Sequence, residues 1–452
     1  MLTAHFISPI IEVMFLILFL EVPMYKPILY AVLSWLLCAL AFAQTPLHYE
    51  ITLDSPIRGK ARVHLHLPTQ ADKTPFILYS PATDMGLTSQ VYNVTCEGKI
   101  HLLQKQGVWT VPRACKKVTW DIQFLRGMPN QVDAARQESL YLDGSIWWII
   151  ATPTALLKLK GKEKAQITVY GPACDKTAET IAKKLYTGIL PHDWQAPEFI
   201  AIDPCHQHQR QSLIPGLRFV VDNPVRFEKL NLDKRYAPVF AYLTQLTGTH
   251  EAVVSSPITI IWLGRATSLG AIGGAAGHHS FVANYLVGTD AHKIEEEAAH
   301  TLMVVTHEQF HQLTSLARHS VLPLPTWINE SLAQYYALKA LRTHAKFTPH
   351  TMAKLEKPFL SAPPAENISL LEAEKRYRKE RQLYSLFYTK GSAFWHQVDQ
   401  LIHAATGENL DHYLPHILQT EFVGEGGRRE DWEKAFKKQL PAETIDRILQ
   451  AI

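Results

Sequence analysis

Two hydrophobic periodicities divide the chain. Between Gln44 and about Pro215, short runs at 47–53, 61–67, 75–79, 117–124 and 165–170 are alternating or β-branched, punctuated by Pro, Gly and Asp. Alternation sends successive side chains to opposite faces, so each run predicts a strand with one face buried. His64 and His66 alternate with Val63, Leu65 and Leu67 in this way. The first half is expected to be a β-sandwich-like domain.

From about Leu217 the period lengthens. Strands are predicted at 217–221, 258–263 and 281–287, and a helix at 236–246. Residues 293–318 contain no Gly or Pro, and Ala298, Leu302, Val305, Leu313 and Leu316 recur at helical spacing. Leu322-Pro323-Leu324-Pro325 ends that helix, and Thr326 is the expected N-cap of a second one reaching about Arg342. Beyond residue 355 the pattern is helical. The expected class is α+β, with a β-rich domain at 44–215, a mixed domain at 216–345 and a helical domain at 346–452.

Residues 1–43 carry a leader pattern. An apolar run, 28–40, follows the short positive segment Met24-Tyr25-Lys26-Pro27, and Ala41-Phe42-Ala43 precedes Gln44 as a cleavage site. That is the anatomy of a secretory signal peptide, at 24–43. Cys38 follows Leu37, where a lipoprotein signal needs a small residue, so no stable membrane anchor is expected after cleavage. An earlier run, 6–20, is shorter than the ~20 residues of a membrane span and contains Glu12. Translation starts at Met1 or at Met24, and Met24 gives the signal its full anatomy unaided.

Cleavage turns an odd cysteine count into an even one. Of 5 cysteines, Cys96, Cys115, Cys174 and Cys205 remain. In an exported chain these read as two disulfides, and the periplasm or the exterior is the expected location. Three connectivities exist; the sequential pairing Cys96–Cys115 and Cys174–Cys205 is favoured because each bond closes a local loop. The 45 Lys+Arg and 42 Asp+Glu give a charge of +3 with no basic block, so no nucleic-acid partner is expected. At 47% hydrophobic over 452 residues, the chain can bury large cores.

Its chemistry lies in the long helix. His307-Glu308-Gln309-Phe310-His311 is an H-E-x-x-H pattern. Histidines four apart stand on one helix face, where two imidazoles can share one zinc ion, and the Glu beside them can take a proton from zinc-bound water. Glu330 follows after 18 intervening residues, within Trp327-Ile328-Asn329-Glu330-Ser331-Leu332-Ala333. Two His and one Glu leave a fourth position for water, the catalytic arrangement. One Zn2+ per chain is expected. The remaining histidines, out of 22, need no metal to explain them.

These motifs resemble the gluzincin metallopeptidases of the M1 aminopeptidase type, whose W-L-N-E-G-F-A segment is matched with Ser331 in place of Gly. Tyr388-Thr389-Lys390-Gly391 is similar to the family's Y-x-K-G segment, and Tyr384 lies one turn earlier. The β half and the 273–280 segment resemble the M61 glycyl aminopeptidases less specifically. The resemblance implies a thermolysin-like middle domain and a peptide or protein substrate. It further implies Glu308 as general base, Tyr388 as oxyanion stabiliser and Asn329 as an orienter of the ligands.

One departure matters. The family's G-x-M-E-N strand carries a Glu that holds a substrate's free amine, and here the corresponding Gly273-Gly274-Ala275-Ala276-Gly277 has none. Those glycines still allow a peptide to approach closely. Aminopeptidase and endopeptidase activity both remain open, as does a zinc-containing protein that binds a peptide or partner without cutting it. The leader reading has a direct test: N-terminal sequencing of the exported protein should begin at Gln44, and any earlier start overturns it.

Overall fold

A computed structural model describes residues 47–54, 59–68, 75–142, 147–160, 165–174, 183–190, 196–270, 272–288, 290–318, 322–360 and 368–452. The signal peptide and leader expected at 1–43 lie outside them. The alternating runs form a seven-stranded sheet from β1 (Leu47–Leu53), β2 (Lys60–His66), β3 (Val91–Cys96), β4 (Ile100–His101), β5 (Lys117–Gln123), β6 (Ala165–Gly171) and β7 (Lys183–Leu190). Its order is β7-β6-β1-β2-β5-β3-β4, with β1 and β6 parallel and the other pairs antiparallel. In β1, Leu47, Tyr49, Ile51 and Leu53 are buried while His48, Glu50 and Thr52 lie on the other face.

That buried face closes on two four-stranded sheets. One contains Phe76–Tyr79 and Val108–Val111; the other contains Leu140–Leu142, Trp148–Ala151 and Phe199–Ile202. The latter is covered on both sides, so its sequence shows no alternation: Trp148, Ile149, Ile150 and Ala151 are all buried. Trp148 and Ile150 enter the β-domain core, while Ile149 and Ala151 join Phe199, Val220, Ile261, Leu263 and Val282 in a second core. This second core fastens the β domain to the central sheet.

The central sheet comprises β8 (Gln209–Gln211), β9 (Leu217–Val221), β10 (Ile258–Ala266), β11 (Gly274–Ala276) and β12 (Ser280–Val287), in the order β8-β9-β10-β12-β11. β9, β10 and β12 are parallel; β8 and β11 are antiparallel edges. Its far face packs on α1 (Leu232–Thr247), α2 (Ile294–Ala317) and α3 (Thr326–His344). The same hydrophobic core continues through α4 (Leu370–Arg376), α5 (Ser385–Tyr388) and α6 (Lys390–Thr406) to Ile452. The fold is α+β, with β sheets first, a mixed centre and helices last. Both sequential disulfides, Cys96–Cys115 and Cys174–Cys205, are formed. Among the described residues no helix is long and apolar enough to cross a membrane.

The start of α3 differs from expectation. Thr326 is the first helical residue and Pro325 precedes it as N-cap, without a capping side chain. The open N–H groups of Thr326 and Trp327 donate instead to the two carboxylate oxygens of Glu374, at 2.9 and 2.8 Å. The Thr326 hydroxyl pairs with that of Tyr377 at 2.9 Å. A carboxylate at a helix N-terminus also complements the helix dipole. Glu374→Ala should therefore cost about 2 kcal/mol in urea unfolding. A loss below ~0.5 kcal/mol would mean that solvent caps the helix equally well.

Candidate active site

α2 and α3 pack side by side and bring three side chains together. His307 Nε2 lies 3.0 Å from His311 Nε2 and 3.2 Å from Glu330 Oε2, and His311 Nε2 lies 3.4 Å from the same oxygen. Zinc bonds of ~2.05 Å at tetrahedral angles hold ligand atoms ~3.3 Å apart. The three donors are thus spaced as one tetrahedral ion requires, and their chemistry, two nitrogens and a carboxylate, suits zinc. Burial raises the Glu330 carboxyl, but His311 and His307 outweigh it and hold it well below the ordinary value. For His311, burial works downward, yet Glu330 and Glu308 hold the imidazole up at about 9.

Asn329 lies beside His311 and favours its charged form. The Nδ1 atoms of both histidines are buried with no hydrogen-bond partner. Ring packing orients His307 instead: its centroid lies 4.7 Å from that of His311 and 5.4 Å from that of Tyr388.

Glu308 points at the edge strand. A Cβ on Gly274 would stand 2.8 Å from Glu308 Cγ, so only glycine lets β11 lie this close. The Ala276 N–H donates to the Glu308 carboxylate. Burial raises Glu308, opposed by His307 and His311. Of the glycine-rich segment, Gly274, Ala275 and Ala276 form β11, whose other edge has no strand partner among the described residues. Gly273 and Gly277 flank it: Gly273 O accepts from Asn284 N–H at 2.9 Å, and Gly277 O accepts from Gln312 at 2.9 Å. No carboxylate lies on β11.

Tyr388 ends α5 beside His307, and burial, then Glu330, raises its hydroxyl far above the ordinary range. It stays a proton donor at any physiological pH. Tyr384 stacks edge-on against it at 5.6 Å, and its hydroxyl hydrogen-bonds to both Tyr388 and Glu330. The sequence offered only its one-turn spacing from Tyr388 as a hint.

Two further residues had no sequence signal. Gln312, next to His311, donates to the carbonyls of Gly277 at 2.9 Å and His278 at 3.2 Å. Across the loop, Glu198 of the β domain accepts from the Ser280 hydroxyl at 2.5 Å and the His279 N–H at 3.2 Å. Pro197 O accepts from His278 N–H at 2.8 Å. The turn after β11 is thus clamped between the β domain and α2.

No protein-family model matches this chain, and no curated protein matches it in sequence. Solved structures do resemble it. An aminopeptidase N family protein from Idiomarina loihiensis aligns at TM-score 0.59 and 12% identity, covering 82% of this chain and 70% of its own. A variant of the M1 zinc metallopeptidase from Deinococcus radiodurans aligns at TM-score 0.50 and 13% identity, covering 90% and 94%. At these identities the likeness is one of fold: the chain has the architecture of M1 metallopeptidases.

Glu198 generates a pH prediction. Burial raises its carboxyl from 4.5 to about 7, against the lowering effect of its two donors. A carboxyl held above its unfolded value favours folding while protonated, and that contribution is lost as pH rises through the folded value. The loss corresponds to ~3 kcal/mol. Glu198→Gln, which stays neutral, should gain about that much relative to wild type between pH 4.5 and pH 8 in paired denaturant titrations. A difference that does not change with pH would exclude the effect.

Proposed function

We propose that the protein is an exported, zinc-dependent metallopeptidase that hydrolyses peptide bonds. The observation that carries this reading is the convergence of His307, His311 and Glu330 at tetrahedral ligand spacing, flanked by Glu308 and Tyr388. A zinc ion bound there would supply Lewis acidity, polarising a carbonyl and lowering the pKa of water to around 7.

The chain's own residues supply the rest. β11 is the edge strand of its sheet, without a further strand partner among the described residues, and an extended peptide can add along it as a further strand. Gly274 lets that peptide sit against Glu308. Glu308, half-buried and backed by the Ala276 N–H, accepts the proton of the attacking water and passes it to the departing amine. Tyr388 donates a hydrogen bond to the oxygen on which negative charge develops, a contact whose loss costs roughly 10²–10³ in kcat. Tyr384 holds Tyr388 and Glu330 in one hydrogen-bonded unit.

Glu308→Gln preserves shape and removes the base. The variant should bind one zinc like wild type while kcat falls by about 10²–10⁴ on a peptide library. Zinc-loaded wild type that cleaves nothing in such a library would overturn the peptidase reading and leave a metal-bearing binding protein. Because β11 carries no carboxylate, matched peptides with free and acetylated amino termini then identify the mode of cleavage. Acetylation abolishes turnover by an aminopeptidase only.

A further inference from the structure

Histidines outside the candidate site are not all scattered. His48 and Glu50 on β1, with His64 and His66 on β2, occupy the outer face of two adjacent antiparallel strands. The register sets His48 opposite His66 and Glu50 opposite His64. Four residues of metal-ligating types, three His and one Glu, therefore form a square, ~5 Å across the strands and ~7 Å along them.

Contacts inside the square are already drawn together. Glu50 Oε2 lies 3.1 Å from His66 Nε2, and Glu50 Oε1 lies 3.8 Å from His48 Nδ1. The His48 and His66 rings stack with centroids 5.9 Å apart. Hydroxyls on the flanking strands hold the opposite nitrogens of two rings: His48 Nε2 meets Thr168 Oγ1 at 3.0 Å, and His64 Nδ1 meets Thr119 Oγ1 at 3.0 Å. Outer contacts of this kind orient ligating imidazoles. His48 Nδ1 and His66 Nε2 already meet the Glu50 carboxylate, and the Thr119 contact takes only Nδ1 of His64, which stands opposite Glu50 in the register.

We propose that His48, Glu50, His64 and His66 form a second zinc site, on the surface of the β domain. Three imidazoles and one carboxylate select a borderline divalent ion such as Zn2+ over Mg2+ or Ca2+. All four side chains are partly exposed, so rotation about their own bonds closes the square without moving the sheet. Flanking cations do not forbid an ion. Arg62 is engaged by Asp121 at 2.9 Å, and Lys117 stands across from His66 at the margin.

The site is independent of the proposed hydrolytic centre, and its test keeps the two apart. In the full exported chain carrying His307→Ala and His311→Ala, Zn2+ titration against a chromophoric chelator should still show one ion bound per chain. Adding His48→Ala and His66→Ala should raise the Zn2+ dissociation constant at least ~100-fold, since ligands matter more than the outer contacts whose loss costs 10–100-fold. Removing the surface histidine His412 instead should change nothing. In a chain with His307 and His311 intact, His48→Ala with His66→Ala should leave peptide hydrolysis and circular dichroism unaltered. No zinc in the first variant, or the same affinity after His48 and His66 are removed, overturns the proposal.

Discussion

Glu330 can meet two histidines on another helix only because the start of α3 is immobilised. Glu374 ties its first turn through two backbone N–H groups. Trp327 is packed among Phe394, Trp395 and Trp432, and its indole N–H donates to Glu425 O at 2.7 Å. Ser331, one turn beyond, meets α6 at Gly391, where an added Cβ would lie 2.4 Å from Ser331 Cβ. Both carbons would be fixed to helix backbones, so no side-chain rotation relieves that clash. The helices approach this closely because Gly391 has no side chain. The Trp395 indole N–H seals the contact by donating to Ser331 Oγ at 2.7 Å. That approach sets the segment just before α6, with Tyr384 and Tyr388, against Glu330 and His307. Placement of Glu330 and of the tyrosines is therefore one constraint.

A second constraint arrives from the β domain and acts on β11. At the entrance to β11, Asn284 Oδ1 accepts from Ala134 N–H at 3.0 Å, while its amide donates to Val132 O at 3.0 Å and Leu263 O at 3.1 Å. Gly273 lies so near Ala135 that a Cβ would stand 2.7 Å from it. At the exit, Glu198 and Gln312 grip the turn from opposite sides. Asn284 is fully buried with its side-chain oxygen and nitrogen both satisfied, and such networks specify one arrangement of the backbone. The β11 edge is thus fixed from two domains, which makes the β domain part of the architecture around His307, His311 and Glu330.

These two constraints mark where the sequence was readable. The strands with one solvent face and the long helix announced themselves, because alternation and helical spacing are local patterns. The meeting of His307, His311 and Glu330 was readable for the same reason: two of the side chains share a helix face and the third lies at the start of the next helix. The cap of α3 was misread because a threonine at a helix start looks like a cap, while the group that performs the task lies in α4, with no local signature. Glu198 and Gln312 were invisible because their partners, backbone groups and the Ser280 hydroxyl, belong to a turn far away in the sequence. The strand Trp148–Ala151 had lost its alternation to burial on both faces, so nothing in it told that it joins two domains.

Ser331 and the histidines show how partners change the meaning of a residue. Taken alone, Ser331 in place of a family glycine looks like a loss of room; beside Gly391 the space has moved across the helix pair. His64 and His66 alone look like the polar half of a strand, and alternation does fix the face they occupy. It says nothing about which strand lies beside them. Once β1 and β2 pair with His48 opposite His66, two unremarkable i, i+2 repeats become a square of donors. Ligands spaced within a helix are written in the sequence, whereas ligands spaced across strands are written only in the register. A count of 22 histidines could not separate the two cases, and the pairing of β1 with β2 does.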